Sequence, residues 1–230
     1  MVRIILIETS TALCSTALCE DGRVVASRES DSPRAHASMT AVFIRDMLQE
    51  RGLRVSDCDA VCVSMGPGSY TGLRVGVSTA KGLCFGAGLP LLAVSTPEVL
   101  YAQAVAEGLL PQECSAVVPM IDARRMEVYS AVFSPEGKQL SDIAATVVDA
   151  GTFEALVRQG PVLFIGDGAE KCREVIGQEH ACFVQTCPRA ASMAAPAMRE
   201  FESRNWRDTA YFEPFYLKDF VATVSRKKLF

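Results

Sequence analysis

The sequence predicts an α/β protein built of two similar lobes, each a mixed sheet with flanking helices. Three observations carry this. A strand, acidic turn, strand, tight turn, strand order occurs twice, once from residue 4 and again from residue 116. Each copy continues through a helical pattern into a strand that ends in glycines. The spacing from turn acid to turn glycine, Glu8 to Gly22 and Asp122 to Gly137, differs by one residue.

In the first copy, Ile4–Ile7 is an unbroken aliphatic run and reads as a buried strand. Glu8-Thr9-Ser10-Thr11 is a polar turn, Cys14–Cys19 a second strand, Asp21-Gly22 a hairpin signal and Val24–Ser27 a third strand. Met39, Val42, Phe43, Met47 and Leu48 recur at helical spacing up to Gly52. Ala60–Met65 is then a strand running into Gly66-Pro67-Gly68. Pro90–Val94 is a further strand, and Ser95-Thr96-Pro97-Glu98 opens a capped helix that continues over Tyr101–Glu107.

In the second copy, Ala116–Ile121 is the buried strand, Asp122-Ala123-Arg124-Arg125 the charged turn and Glu127–Phe133 the next strand. Glu136-Gly137 turns the chain into Ile143–Val148. Thr152–Arg158 reads as a short helix, and Val162–Ile165 as a strand running into Gly166-Asp167-Gly168. Ala190–Ser203 reads as a helix, Tyr211–Leu217 as an aromatic segment that packs back on a lobe, and Ser225–Lys228 as a frayed basic tail. The expected division is 1–108 and 109–230, with about the last 20 residues returning to the first lobe, and a cleft between lobes suited to a ligand.

The 230 residues are 49% hydrophobic and 22% charged, with a formal net charge of −4. No overall basic field attracts nucleic acid, which argues against this chain alone as a main nucleic-acid grip. The nine cysteines lack a Cys-x-x-Cys pair and framework spacing, so they read as buried thiols of a reducing compartment. The start, MVRIILIETS, turns acidic too soon for a signal peptide, and no apolar run reaches about 18 residues. A cytoplasmic protein that does not span a membrane is expected.

The segment Gly66–Gly76, GPGSYTGLRVG, places a glycine turn before a helix, which suits anions and close backbone approach. It is neither a P-loop nor a dinucleotide fingerprint: Leu73 follows Gly72, and position 71 is Thr. In the helix, Gly72, Gly76 and Ala80 recur every four residues on one face. Glycine inside a helix costs about 1 kcal/mol relative to alanine, so a packing purpose is expected. Two partners fit this face, the chain's own sheet or a helix of another chain, with Met39–Leu48 sharing the surface.

Several runs resemble the TsaB family: ILIETST, PRAHASM (33–39), SMGPGSYTGLRVGVSTAKGL (64–83), PLLAVSTPEVL (90–100), MIDARRMEVY (120–129), GDGA (166–169) and PFYLK (214–218). The resemblance spans nearly the whole chain. It implies an actin/sugar-kinase/Hsp70-like fold with ribonuclease H-like lobes. It also implies a non-catalytic partner of the threonylcarbamoyl transferase TsaD, joined by the ATPase TsaE, acting beside the anticodon of tRNAs reading ANN codons. The pairing surface it implies covers about 36–48 and 69–84: His36, Met39, Phe43, Met47, Tyr70, Gly72, Leu73, Gly76 and Ala80. A homodimer through the same face is implied for the isolated chain, with tRNA reached through the complex. Glu8, Thr9, Ser10, Asp122, Gly166, Asp167 and Gly168 would be vestigial nucleotide turns. Glu8 stands where the family usually has Asp. The chain would hold no cofactor of its own, with ATP and Mg entering only at the level of the complex.

Enzyme readings are weaker. The two histidines, His36 and His180, are far apart, and Thr40 and Ala41 occupy the helical partner positions of His36, so no metal site is expected. No Gly-x-Ser-x-Gly elbow supports the peptidase once suspected of this family. The main alternative is a small actin-like kinase or ATPase acting alone, with Glu8 and Asp122 around Mg-phosphate.

Overall fold

The computed structural model describes residues 1–32, 35–177 and 179–218. Its first sheet contains β1 (Arg3–Glu8), β2 (Cys14–Glu20), β3 (Arg23–Ser30), β4 (Ala60–Ser64) and β5 (Leu91–Val94), in the order β3-β2-β1-β4-β5. Asp21 and Gly22 both take positive φ, 47° and 76°, as a tight hairpin between right-twisted strands requires. β1 pairs antiparallel with β2, Ile5 opposite Leu18, and parallel with β4, Ile5 opposite Val61.

The second sheet contains β6 (Ala116–Asp122), β7 (Glu127–Ser130), β8 (Ala144–Val147), β9 (Val162–Gly166) and β10 (Ala181–Gln185). Its order, β10-β9-β6-β7-β8, is that of the first sheet read from the other edge. The pattern of pairing is also the same: β6 is antiparallel to β7 and parallel to β9, as β1 is to β2 and β4. The repeat in the sequence is therefore a repeat in topology.

Both faces of the first sheet are covered, which is why β1 has no polar alternation. Ile5 and Ile7 face α1 (Ala35–Glu50) and α2 (Tyr70–Ala87), against Ile44, Met47, Val77 and Ala80. α3 (Thr96–Ala106) sends Val99 to the first sheet's other face and Leu100 and Ala104 to the second sheet, so one helix joins the two cores. Its Ser95 cap accepts the Glu98 N–H at 3.3 Å. The far face of the second sheet packs Val118, Met120 and Phe164 on α4 (Glu154–Val157) and α5 (Arg173–Ile176).

The chain then returns. A 3₁₀ turn over Ala190–Met193 and α6 (Ala194–Glu202) lay Ala190, Met193 and Ala197 on Ile4, Leu6 and Leu92. Arg207 bridges to Leu91, Lys81 Nζ donates to the carbonyls of Ala210 and Phe212, and the Phe215 N–H donates to the Met65 carbonyl at 2.7 Å. Chain order groups residues 109–230 together; contacts carry residues 190–218 back to the first sheet.

Some elements differ from the sequence reading. The single helix expected over 190–203 is a 3₁₀ turn followed by α6, and Pro196 sits in the first turn of α6, where its missing N–H leaves no bond unmade. The helix expected over 152–158 shrinks to Glu154–Val157 between Gly151 and Gly160. β7 stops at Ser130, and Phe133 pairs instead with Val117. All nine cysteines are free; burial pushes the Cys58 and Cys84 thiols up to about 11. The basic tail 225–228, like Pro33, lies outside the described residues. Among the described residues no helix is long and apolar enough to cross a membrane.

Candidate functional site in the cleft between the sheets

The acidic turns that end β1 and β6 face one another across a cavity of about 830 Å³. Its walls include Ser10 and Thr11 from the first turn, Gly68–Thr71 from the start of α2, and Asp122–Arg125 and Asp167 from the second lobe. The returning segment adds Phe215, Tyr216, Leu217 and Lys218, and Lys218 pairs with Glu127 on the opposite lobe. The Tyr70 and Tyr216 rings meet at 4.7 Å, with the Arg74 guanidinium 4.6 Å from the Tyr70 centroid.

Glu8 lies under the first turn, fully buried. Its Oε1 accepts the Ser10 N–H at 2.6 Å, while Oε2 has no hydrogen-bond partner of proper geometry among the described residues. Burial raises this carboxyl to about 7; the Ser10 and Ser64 hydroxyls pull it back only partly, and the charge of Asp167 pushes it further up. Asp167 is raised to about 6, first by burial, although its Oδ1 accepts the Asp122 N–H at 2.9 Å. Asp122 itself pairs with Lys171 and accepts the Arg124 N–H at 2.9 Å. Lys171 Nζ also donates to the carbonyls of Arg125 at 2.8 Å and Glu127 at 2.7 Å, which locks the β6–β7 turn. Gly166 and Gly168 bring β9 against that turn: the Gly168 N–H donates to the Met120 carbonyl at 2.9 Å.

Among the described residues no three His, Cys, Asp or Glu side chains stand together as metal ligands. His36 lines the cleft, and its Nε2 is shielded from water without a hydrogen-bond partner among the described residues.

The small-residue stripe of α2 is a correction to the sequence reading. Gly72, Leu73, Gly76 and Ala80 are buried within the chain, as is Met47 of α1. A Cβ on Gly72 would stand 2.0 Å from the Thr9 carbonyl oxygen, one on Gly76 2.2 Å from Thr9 Oγ1, and one on Gly68 2.2 Å from the Ser10 carbonyl oxygen. The glycines let α2 and its loop close onto the first turn, so they are spent inside the fold. Of the expected surface residues, His36, Met39, Phe43 and Tyr70 stay half-exposed.

The sequence reading missed the outward face of α2. There Thr71, Arg74, Ser78 and Gly82 are exposed, and Phe85 is 88% exposed between Gly82 and Gly86, beside which a Cβ would meet open space. The signal was present: Phe85 falls off the buried spacing 73, 77, 80, 84. Lys81, Lys171 and Lys218 were missed because their partners lie far away in sequence.

Comparison with known proteins agrees with this architecture. The family model for TsaD, tRNA N6-adenosine threonylcarbamoyltransferase, matches residues 25–224. The tRNA threonylcarbamoyladenosine biosynthesis protein TsaB of Escherichia coli strain K12 is 30% identical over 232 residues, covering 96% of each chain. The structure of YeaZ from Pseudomonas aeruginosa superposes with a TM-score of 0.81 at 28% identity, covering 94% of this chain and all of that one. A polyphosphate/ATP-glucomannokinase from an Arthrobacter strain, 11% identical over 88% of this chain and all of its own, shares the fold at a TM-score of 0.50. An actin-like, sugar-kinase-like fold and the relatives that carry it place this chain in the TsaB branch of the TsaD-type family of tRNA threonylcarbamoyladenosine proteins.

Proposed function

We propose that the chain is a non-catalytic partner subunit. It docks on a TsaD-type transferase and activates threonylcarbamoyl transfer to the adenosine beside the anticodon of tRNAs reading ANN codons. A TsaE-type ATPase completes the assembly in the cytoplasm, and ATP and Mg act at the level of the complex. Alone, the chain pairs with a second copy through the same face.

The observation that carries this reading is the outward face of α2. Phe85 is a large apolar side chain at 88% exposure, flanked by Gly82 and Gly86 that a partner helix can approach closely. Met39 and Phe43 on α1 are half-exposed as well, whereas Tyr70 and His36 line the cleft. The first acidic turn supports the same reading. Its buried Glu8 carboxyl, raised to about 7, and its Thr9 hydroxyl, bonded to Gly72, are both committed to the fold.

The test is co-purification with TsaD- and TsaE-type partners, followed by a threonylcarbamoylation assay with each component omitted. Phe85→Asp is expected to keep the fold, because Phe85 touches little of its own chain, and to lose pairing and activity together. Pairing that survives this change at wild-type affinity removes the face from the proposal. Transfer by this chain alone removes the partner reading.

A further inference from the structure

We propose that residues 208–218 form a strap across the mouth of the cleft, and that the Lys218–Glu127 ion pair is the latch by which this strap holds the two lobes together. The proposal does not rest on the partner reading. It begins with how unevenly the strap is anchored. On the first lobe its backbone is bonded along its length. Lys81 Nζ donates to the Ala210 and Phe212 carbonyls, and the Phe215 N–H donates to the Met65 carbonyl at 2.7 Å. The Tyr216 ring lies 4.7 Å from that of Tyr70. Gly66 makes room for this, since a Cβ there would stand 2.7 Å from the Phe215 carbonyl oxygen. A segment held by its backbone moves with the lobe that holds it.

On the second lobe the strap is held by a side-chain pair, Lys218 with Glu127. Glu127 is itself fixed. Its carbonyl accepts the Ala123 N–H at 3.1 Å and Lys171 Nζ at 2.7 Å, and its strand pairs it with Val147 of β8. Any pull on the pair is therefore passed to the second sheet. The pair is weak. Side-chain exposures of 42% for Lys218 and 21% for Glu127 make it a solvated ion pair, which shifts an equilibrium about two- to fivefold and is screened by salt. Beside it, Tyr216 Oη is shielded from water without a hydrogen-bond partner of proper geometry among the described residues, and opening would hydrate it. The lobes are joined more firmly at α3, away from the cavity walls. Val99 packs on the first sheet and Leu100 on the second, while the buried Gln103 bonds Thr186 and the Arg189 N–H, each at 3.1 Å. With buried apolar contacts at α3 and a solvated ion pair at the mouth, the lobes part at Lys218 and hinge at α3.

Double electron–electron resonance on the intact chain tests this. Nitroxides are carried on non-canonical residues at Asp46 of α1 and Glu174 of α5, both exposed, and the labelled protein is diluted into unlabelled protein. At low salt the wild type is expected to show mainly one distance. A second, longer distance should gain about two- to fivefold in weight in about 0.5 M salt. Lys218→Glu should show the longer distance at either salt. The swap Lys218→Glu/Glu127→Lys should restore the wild-type distribution, which a loss of packing alone would not do. If Lys218→Glu does not fold, Lys218→Gln, which only removes the charge, carries the same test. The proposal is overturned by distances that neither salt nor the loss of the lysine changes, or by a swap that fails to restore them. Faster hydrogen exchange at the Phe215 amide with the distances unchanged also overturns it, because the pair would then hold the strap and not the lobes. Pairing with a TsaD-type partner is measured separately, so either proposal can fail without the other.

Discussion

The Thr9 hydroxyl donates to the Gly72 carbonyl oxygen at 2.8 Å, and this bond ties the first turn of α2 to the end of β1. The two backbones approach so closely that no side chain fits between them at Gly72. The helix that most resembles a ligand loop in the sequence is thus clamped to its own sheet. Its opposite face, with Phe85, is exposed.

The clamp predicts a graded response to added methyl groups. At Gly72 a Cβ meets backbone, the Thr9 carbonyl oxygen at 2.0 Å, which cannot move without displacing β1. At Gly76 it meets the Thr9 hydroxyl at 2.2 Å, which can rotate away by giving up its bond to Gly72. Gly72→Ala is expected to cost about 3 kcal/mol as an overpacked core site. Gly76→Ala should cost about 1 kcal/mol, because alanine's better helix propensity offsets part of the loss. Urea unfolding of the two variants compares them directly, and equal costs would contradict a rigid backbone contact at Gly72.

The architecture was legible because the sequence states it twice. Aliphatic runs at Ile4–Ile7 and Ala116–Ile121 are buried strands of corresponding position, and Asp21-Gly22 forms the expected turn. The orientation of α2 was not legible. Spacing shows that Gly72, Gly76 and Ala80 share a face, but only the position of Thr9 shows that this face points inward. The cleft was half legible: its turns were found as turns, whereas the bonds from Lys171 to the Arg125 and Glu127 carbonyls join residues more than forty positions apart. No local pattern encodes such a bond, because a lysine on a surface helix reads as solvated until its neighbours are known.

Glu8 gives a pH prediction. Its folded value, about 7, lies above the ordinary 4.5, because burial disfavours the charged form. The contribution to stability is therefore fully present below pH 4.5 and is lost as pH rises to about 7. The shift corresponds to roughly 3 kcal/mol. Asp167, raised from 3.8 to about 6, acts in the same direction over that lower window. Glu8→Gln keeps an acceptor for the Ser10 N–H but cannot ionise. Relative to wild type, it is expected to flatten the stability profile between pH 4.5 and 7 and to be the more stable protein at pH 8. A constant difference between the two proteins across that range would mean that Glu8 does not titrate there.

Lys81 anchors the returning segment by donating to the Ala210 carbonyl at 3.1 Å and the Phe212 carbonyl at 3.0 Å. Lys81→Met keeps the aliphatic stem and removes both bonds, at a cost of about 1–2 kcal/mol. The loss should be local. Hydrogen exchange is expected to accelerate at the Phe215 amide, which donates to the Met65 carbonyl, while amides of β6 and β9 stay protected. Unchanged exchange at Phe215 would mean that the aromatic contacts alone hold the segment.

Lys171 does for the second lobe what Thr9 does for the first: it fixes the acidic turn against its neighbouring elements. Its ammonium joins the Asp122 carboxylate to the Arg125 and Glu127 carbonyls, so one side chain sets the left-handed pair Arg124 and Arg125. Left-handed backbone is unfavourable for arginine, and the conformation persists because these bonds over-determine it. Lys171→Met should release the turn at a cost of about 1–2 kcal/mol, modest because the site is partly solvated. Amides of Arg124–Glu127 should exchange faster, and a nitroxide at residue 124 should show a broader range of distances to one on α2. A second comparison separates strain from bonding. Arg125→Gly in the wild-type background removes the left-handed penalty while leaving the backbone carbonyl for Lys171, so it should stabilise the turn by a few tenths to about 1 kcal/mol. Destabilisation by that glycine would mean that the arginine side chain, rather than the lysine bridge, holds the turn in place.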